Sequence, residues 1–265
     1  MFFGMTNSPA TFQSMMDHLY KDLIENGGVI VYMDDILIHA ITIEELDRLT
    51  KKVLKILQDN QLYLKTEKCE FQKQRLEYLG VIITPDSIEM DPIKLEGIQN
   101  WPAPQTARNV RQFIGFCNFY RKFIHNYSAI SQPLNALLRK TTNFKWTEEA
   151  QKAFKELRKQ FLQQPVLQMV DQDKPFELEC DASAFATGAV LLQRDSNGDK
   201  HPVAYFSKAL NPAERNYHVS DQELLAIIRA LKEWRHYLEG CPHPLIIWSD
   251  HENLTRWREP QQLNR

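Results

Sequence analysis

The sequence predicts an α+β fold that is divided among more than one domain. Its first part alternates helix and strand patterns around a short acidic hairpin, and its last part contains three strand patterns, a long helix and one further strand. Prolines cluster between these two parts. At 265 residues the chain is long enough for two compact domains, since a domain commonly has about 100 to 150 residues.

The first part reads as a helix, a hairpin, a second helix and a strand. We expect the first helix over residues 11–23, an amphipathic helix from about Ile43 to Asn60, and a strand over residues 78–83. The apolar stripe of the amphipathic helix contains Leu46, Leu49, Val53, Leu54 and Leu57. In an α+β layer the helices would cover the back of the sheet that carries the hairpin.

The hairpin sets two carboxylates, Asp34 and Asp35, between the apolar runs 29–31 and 36–38. Consecutive side chains of a strand point to opposite faces, so both acids can serve one site only where the chain turns. Adjacent carboxylates repel each other unless a divalent cation binds, and oxygen ligands of this kind suit Mg²⁺ that substrate phosphates also hold. The alternative is that the Asp-Asp pair only forms the turn.

The middle part begins with a proline-rich boundary and continues as a basic block. Residues 106–145 contain no Asp or Glu, although the formal net charge of the chain is -2. Aromatic residues recur there at near-helical spacing, at Phe113, Phe116, Phe119, Tyr120, Phe123 and Tyr127. Such rings can stack on bases, but their spacing favours a hydrophobic core, with Trp101 as an anchor. We therefore assign phosphate contacts to Arg108, Arg111, Arg121 and Lys122.

The last part begins after a helix that Thr147 caps and that Pro165 ends. The first strand, over residues 175–180, alternates: Phe176, Leu178 and Cys180 are expected on one face, and Glu177, Glu179 and Asp181 on the other. Further strands are expected over 188–193 and 203–206, with a turn at Asn197-Gly198, then a helix over 221–238 and a strand over 245–248.

Three acids stand where these elements end or begin. Asp181 leaves the first strand, Glu223 lies in the first turn of the long helix, and Asp250 leaves the fourth strand, so their side chains can converge. Each also has a structural explanation: Ser220 and Glu223 fit a capping box, and Asp250 can cap a helix that starts at His251. Asp221 is expected to be a surface charge at the helix start.

The composition excludes several classes of protein. Hydrophobic and charged fractions of 43% and 25% are ordinary for a globular protein. The four cysteines have no zinc-type spacing, which indicates a reduced intracellular compartment, cytoplasmic or nuclear. No apolar stretch approaches the roughly 20 residues of a membrane helix, and no targeting signal is visible, so we expect no membrane partner.

Three motifs together resemble a known family. Tyr32-Met33-Asp34-Asp35 follows the stretch Phe3 to Gln13 and precedes Leu76-Glu77-Tyr78-Leu79-Gly80. In this order the motifs resemble the reverse transcriptase and ribonuclease H region of gypsy-type (Metaviridae) long-terminal-repeat retrotransposon polyproteins. The resemblance implies a partial palm over 1–84 without fingers, a thumb or connection over 85–164, and a ribonuclease H-like α/β domain over 165–265.

The resemblance also implies roles for individual residues. Asp34 and Asp35 would bind catalytic Mg²⁺ in the polymerase, and Asp181, Glu223 and Asp250 would bind Mg²⁺ in the ribonuclease H domain. The nucleotide and template pocket would include Phe3, Gly4, Gln13 and Lys68, although Lys68 also reads as a solvated surface lysine. The primer grip would include Leu76, Tyr78, Leu79 and Gly80. The implied partners are an RNA template, a DNA primer, an RNA-DNA hybrid, deoxynucleoside triphosphates and the remainder of the polyprotein.

Two departures from the family pattern lead to an expectation about activity. The family's further polymerase aspartate would precede Met1, and its fourth ribonuclease H carboxylate would follow Arg265, so we expect a fragment truncated at both ends. Losing a metal ligand reduces rate steeply, and the isolated chain is expected to lack appreciable polymerase activity and to have weak or no nuclease activity. The alternatives are a non-catalytic remnant that binds nucleic acid and a stand-alone ribonuclease H.

Overall fold

The computed structural model describes residues 4–139, 144–163 and 166–251. Between Tyr78 and Leu79 the chain divides into two compact units. Phe3 and Pro165, which carried a pocket role and a helix end in the sequence prediction, lie outside the described residues. The three predicted domain ranges stay a prediction.

The first unit contains three α-helices and three strands within its described residues, in the predicted order. They are α1 (Ser8–Leu19), α2 (Lys21–Glu25), β1 (Val29–Tyr32), β2 (Asp35–Ile38), α3 (Ile43–Asp59) and β3 (Leu76–Tyr78). The single helix predicted over 11–23 is two helices, because the backbone leaves helical geometry at Tyr20, whose side chain is fully buried. The core of this unit joins α1, β1 and α3 through Met16, Tyr20, Val29, Leu49 and Val53.

The amphipathic helix α3 forms as predicted. The Thr42 hydroxyl caps it by accepting a hydrogen bond from the Glu45 amide at 3.2 Å. Leu49, Val53 and Leu57 are buried, whereas Leu54, which we had placed on the same stripe, is 39% exposed. The buried face is therefore narrower than the sequence suggested.

The strand predicted over 78–83 is wrong at its centre. β3 ends at Tyr78, β4 (Val81–Ile83) begins three residues later, and both residues between them have positive φ, 50° at Leu79 and 77° at Gly80. The Tyr120 hydroxyl donates to the Gly80 carbonyl at 2.8 Å, and a Cβ at Gly80 would lie only 3.2 Å from the Phe119 ring. This close approach explains why the chain turns here instead of continuing as a strand.

The second unit opens with a small sheet and a set of helices. After β4 come β5 (Ser87–Met90), α4 (Pro92–Gln99), α5 (Ala107–Phe119), α6 (Tyr127–Ala136), α7 (Glu148–Leu162) and β6 (Leu167–Gln168). β5 pairs antiparallel with β4 and with β6. Our sequence reading missed α4: Pro92 occupies a first-turn position that tolerates proline, and the Asp91 carboxylate accepts from the Ile93 amide at 2.9 Å.

The aromatic residues of the basic block form a core, as their spacing predicted. Phe113, Tyr120, Phe123 and Tyr127 are buried, and Phe116 packs against the same cluster. The Trp101 ring lies 5.7 Å from Phe113 and 5.5 Å from Phe116, which confirms its anchoring role. Phe119 is the exception and is 56% exposed.

The remainder of the second unit is a four-stranded sheet with one long helix. It contains β7 (Glu177–Ala182), β8 (Ala186–Arg194), β9 (Lys200–Ala209), α8 (Val219–Glu233), α9 (Arg235–Leu238) and β10 (Ile246–Trp248). The strand order is β10-β7-β8-β9, with β10 parallel to β7 and the other pairs antiparallel. The predicted order of elements is confirmed, although the helix predicted over 221–238 is interrupted at Trp234.

Candidate metal centre

The three acids of the last part converge in space. Asp181 lies near the end of β7, Glu223 in the first turns of α8, and Asp250 two residues after β10. Each offers one carboxylate oxygen, and these oxygens all lie within 4.8 Å of one another. Asp181 and Asp250 are exposed, whereas Glu223 is only 4% exposed. The side chains therefore form an acidic cluster that is open on one side and anchored by a buried carboxyl on the other.

The environment of Glu223 fits a cation. Its Oε1 accepts a hydrogen bond from the Ala182 amide at 3.2 Å, while its Oε2 is buried without a hydrogen-bond partner among the described residues. A buried carboxylate oxygen without a partner is unfavourable unless a ligand satisfies it. The capping-box explanation is wrong, because α8 begins at Val219 and Ser220 lies inside the helix.

Burial and like charges both act on this carboxyl. The pKa of Glu223 is raised to about 7: desolvation is the largest cause, the hydrogen bond from Ala182 opposes it, and the negative charges of Asp181 and Asp250 add to the rise. Near neutral pH the group is therefore divided between its two protonation states. A divalent cation shared by the three carboxylates would favour the ionised form.

An ion network around one buried carboxylate, which the sequence did not predict, supports the end of β10. Glu177 was predicted on the strand face opposite Phe176 and Leu178. It is buried and pairs with Arg194 and with Lys200, whose Nζ lies 3.1 Å from its carboxylate. The Trp248 indole donates to the same carboxylate at 2.8 Å, which ties β10 to β7 just before Asp250. Hydrogen bonding by Arg194 leads the causes that lower the pKa of Glu177 to about 2.

The start of α8 is also held from several directions. The Gln222 amide donates to the carbonyls of Glu214, Arg215 and Tyr217 at 3.2–3.3 Å. Arg229 forms two hydrogen bonds to the Glu214 carboxylate, at 2.7 and 2.8 Å. These bonds fix the loop before the helix and hence the position of Glu223. Asp221 is exposed in the first turn, as predicted.

The other acidic pair lies at the hairpin of the first unit. β1 and β2 pair antiparallel with Tyr32 opposite Asp35, so Met33 and Asp34 form a two-residue turn. Asp34 and Asp35 are both exposed. Met33 has φ of 55°, a left-handed conformation that is unfavourable for a side chain other than glycine, asparagine or aspartate. The predicted hairpin is confirmed, and its turn is strained at Met33.

Gln13, predicted to line the nucleotide pocket, forms two hydrogen bonds with this turn. Its Oε1 accepts from the Met33 amide at 2.6 Å, and its Nε2 donates to the Val31 carbonyl at 3.1 Å. Gln13 therefore fastens α1 to the acidic hairpin. Gly4 is exposed with φ of 104°, and Lys68 is exposed at the end of a short 3₁₀ turn. Their pocket roles stay predictions.

The predicted primer-grip residues lie around the turn after β3. Leu76 and Tyr78 are half-buried, and Leu79 is exposed. The Tyr78 hydroxyl is buried and has no hydrogen-bond partner in the part of the chain that the structure describes. Burial raises the pKa of Tyr78, and the charge of Asp35 raises it further, which relates this tyrosine to the acidic hairpin.

The predicted phosphate-binding cations differ in their surroundings. Arg108 and Arg111 are exposed on α5. The Arg121 guanidinium donates to the Ser207 carbonyl and lies 5.7 Å from the centre of the Tyr127 ring, and Lys122 Nζ lies 5.6 Å from the centre of the Phe123 ring. Arg121 is thus engaged within the molecule, and the phosphate role of all four residues stays a prediction. No helix within the described ranges is long and apolar enough to cross a membrane.

Comparison with known families identifies two regions. Residues 1–83 match the reverse transcriptase (RNA-dependent DNA polymerase) family, and residues 146–247 match the RNase H-like domain found in reverse transcriptase. The chain is 41% identical over 256 residues to the retrovirus-related Pol polyprotein from transposon 297 of Drosophila melanogaster, covering 96% of this chain and 23% of that protein. It is 37% identical over 263 residues to the transposon Tf2-3 polyprotein of Schizosaccharomyces pombe, covering 98% and 20%.

Solved structures show the same architecture. The foamy viral protease-reverse transcriptase dRH in complex with double-stranded DNA matches with a TM-score of 0.81 at 25% identity, covering 98% of this chain and 45% of that one. The foamy viral protease-reverse transcriptase in complex with an RNA/DNA hybrid matches with a TM-score of 0.77 at 25% identity, covering 99% and 36%. The predicted α+β fold is therefore confirmed.

The chain spans about a quarter or less of the curated relatives that it matches. Both matched regions occur in the order that the motifs predicted. The resemblance is thus confirmed: the chain carries a reverse transcriptase region followed by a ribonuclease H-like region of reverse transcriptases, and it is similar to the polyproteins of retrotransposons.

Proposed function

We propose that the protein containing this chain synthesises DNA on an RNA template and hydrolyses the RNA strand of the resulting RNA-DNA hybrid, with Mg²⁺ at both sites. The convergence of Asp181, Glu223 and Asp250 within 4.8 Å is the observation that carries the proposal. Hard carboxylate oxygens suit Mg²⁺, and a cation would satisfy the buried Oε2 of Glu223, which has no hydrogen-bond partner among the described residues. A pair of such ions, when bound, activates water and stabilises the departing oxygen.

The three acids would contact a bound cation from different sides. Glu223 is buried and fixed by the Ala182 amide, so it would hold a cation from the protein side. Asp181 and Asp250 are exposed, so they can bind the cation while a phosphate approaches from solvent. The same logic applies to the exposed pair Asp34 and Asp35, which would bind Mg²⁺ together with the phosphates of a deoxynucleoside triphosphate.

The proposed substrates agree with what related proteins bind. The matched foamy viral proteins were solved with double-stranded DNA and with an RNA/DNA hybrid. In this chain the exposed Arg108 and Arg111 on α5 supply positive charge for phosphate contacts of the kind that position a duplex without reading its sequence. A template-primer duplex and an RNA-DNA hybrid are therefore the nucleic acids we propose.

Divalent-cation binding tests the cluster directly. Mn²⁺ binding to the 265-residue chain is measured by calorimetry for the wild type and for Asp181→Asn, Glu223→Gln and Asp250→Asn. We expect each variant to lose at least about tenfold in affinity, since removing a ligand should cost no less than removing a group that orients one. Asp221→Asn is the matched control, because Asp221 is an exposed acid of the same helix start, and it should stay within about twofold of wild type. Equal affinity in all five proteins would reject the metal centre.

A non-catalytic nucleic-acid-binding role is the second candidate, and the exposed cations of α5 favour it. Hybrid binding should fall with salt, and Arg108→Ala with Arg111→Ala should reduce the slope of that dependence by about 2. Binding that survives neutralisation of all five predicted metal-binding acids, without RNA cleavage in the wild type, would favour this role. Cleavage that requires Asp181 and Glu223 would favour the enzyme.

A further inference from the structure

One row of residues across the sheet has a gap beside the candidate metal centre. Asp181 on β7 pairs with Gly188 on β8, and Gly188 pairs with Ser207 on β9. Residues directly opposite each other on neighbouring strands project to the same face. Asp181 and Ser207 therefore stand on either side of a position that has no side chain.

Asn126 fills this gap from outside the sheet. A Cβ added at Gly188 would come within 2.2 Å of Asn126 Oδ1, a distance that atoms do not adopt, so the approach depends on glycine. Asn126 has φ of 51° and immediately precedes α6. Asparagine tolerates this left-handed conformation better than most residues. The backbone at Asn126 and the missing side chain at Gly188 thus act together to bring an amide to this place.

The segment around Asn126 is fastened to β9. The Ser128 amide donates to Ser207 Oγ at 2.8 Å, and Ser207 Oγ donates to Ser128 Oγ at 2.9 Å. The Arg121 guanidinium donates to the Ser207 carbonyl. Ser207 is buried, and both its hydroxyl and its carbonyl accept hydrogen bonds from this segment. Because Arg121 precedes Asn126 and Ser128 follows it, these contacts hold the chain on both sides of Asn126 against the sheet.

Asn126 and Asp181 both border a small cavity. It has a volume of about 30 Å³, which is sufficient for one water molecule. Its walls are formed by Asn126, Ala129, Asp181, Ser183, Ala186 and Ser207. Within the described residues, neither the Asn126 amide nor the Asp181 carboxylate makes a side-chain hydrogen bond, so both have capacity for a shared partner.

We propose that Asn126 is a positioning residue for the metal centre, which orients the Asp181 carboxylate through a water molecule in this cavity. The inference rests on the proposed function in that Asp181 is taken as a metal ligand. Carboxylates that bind metals are themselves held by hydrogen bonds from neighbouring groups, and losing such a group costs about 10- to 100-fold in metal affinity. Asn126, which immediately precedes helix α6, would supply such a hydrogen bond to the Asp181 carboxylate on strand β7 through the water molecule.

The test removes the amide without disturbing the backbone. Asn126→Gly keeps a residue that accepts positive φ, and Gln61→Gly, at φ of 55° in the first unit, is the matched control. We expect Asn126→Gly to weaken Mn²⁺ binding about tenfold, and Gln61→Gly to leave it unchanged. Thermal unfolding measured alongside separates this effect from a loss of folding, because binding is compared well below the unfolding midpoint of each variant.

A second pair of variants tests the contact itself. Gly188→Ala should displace Asn126 and weaken Mn²⁺ binding more than Asn126→Gly does, and the double variant should recover to the level of Asn126→Gly because the clash is gone. Affinity of Asn126→Gly within twofold of wild type, or no recovery in the double variant, would overturn the inference.

A readout without metal separates this inference from the proposed function. If the wild type binds no Mn²⁺, the proposed metal centre is rejected. The carboxyl ¹³C chemical shift of Asp181 then tests whether Asn126 positions this carboxylate. A shift that changes in Asn126→Gly but not in Gln61→Gly supports contact between the amide and the carboxylate. An unchanged shift rejects it whatever the cation does.

Discussion

The two acidic sites of this molecule are built in opposite ways. Asp34 and Asp35 are neighbours in sequence, exposed, and set by the turn of a single hairpin. Asp181, Glu223 and Asp250 come from three regions far apart in sequence, and the carboxyl group of Glu223 is buried. Local backbone geometry therefore governs the first site, whereas packing between a sheet and a helix governs the second. Changes to burial should affect the second site and changes to the turn should affect the first.

The largest expected effect concerns the buried carboxyl. The pKa of Glu223 is about 7 in the folded chain against an ordinary value of 4.5, so the folded state binds more protons between these values. Its contribution to the free energy of unfolding is fully present below pH 4.5 and is lost as pH rises through 7, by about 3 kcal/mol without metal. The difference between wild type and Glu223→Gln, measured by urea unfolding from pH 4 to 8, should show this slope.

Two controls isolate the contribution of Glu223. Asp34→Asn should leave the slope unchanged, since the hairpin acids are exposed. Saturating Mn²⁺ should reverse the loss above pH 7, because a cation that binds only the folded state stabilises it. If the difference in free energy of unfolding between wild type and Glu223→Gln did not change from pH 4 to 8, burial would not raise the pKa of Glu223.

The second prediction concerns the ion network under β10. Glu177→Ala removes the acceptor of Arg194, Lys200 and Trp248 and should lower the free energy of unfolding by about 2 kcal/mol, after allowing for the partial exposure of both cations. It should also weaken Mn²⁺ binding, since Trp248 positions the chain just before Asp250. Glu179→Ala is the matched control on the same strand, and an equal loss of stability there would contradict the role assigned to Glu177.

Glu177 and Glu223 show which features of the structure the sequence could and could not predict. Strand order, the capped helices and the aromatic core follow from periodicity, turn residues and capping residues, which are local signals. Alternation placed Glu177 on the face opposite Phe176 and Leu178, but this pattern does not indicate that Arg194 and Trp248 cover it from neighbouring strands. The convergence of the acids was predicted from strand ends, but the unpartnered oxygen of Glu223 depends on the packing of α8.

The first unit shows the same limit on a smaller scale. Gln13 lies in a motif that indicated a pocket, and its bonds to Met33 and Val31 became visible only when α1 and the hairpin were placed together. Helix α4 was missed for a different reason. The Asp91-Pro92 pair is a helix start, but a cluster of prolines in a sequence also indicates a domain boundary.

The third prediction tests the fastening of the hairpin. Gln13→Ala removes the acceptor of the Met33 amide, and the local opening free energy of that amide should fall by about 1 kcal/mol. Hydrogen exchange at Met33 should then become roughly fivefold faster. Gln13→Glu keeps the acceptor and should retain most of the protection. Exchange at Met33 that is unchanged in Gln13→Ala would show that the turn is held by the β1–β2 pairing alone.

The smallest expected effect comes from the turn residue itself. Met33 has a left-handed backbone that asparagine adopts more readily, so Met33→Asn should raise the free energy of unfolding of the first unit by about 0.5 kcal/mol. Mn²⁺ affinity at the cluster of the second unit should not change. Thermal unfolding of Met33→Asn and of Met33→Val makes the test two-sided, because a β-branched residue at the same φ should destabilise the turn. If both variants lowered stability equally, side-chain contacts of Met33, and not backbone strain, would govern the acidic hairpin.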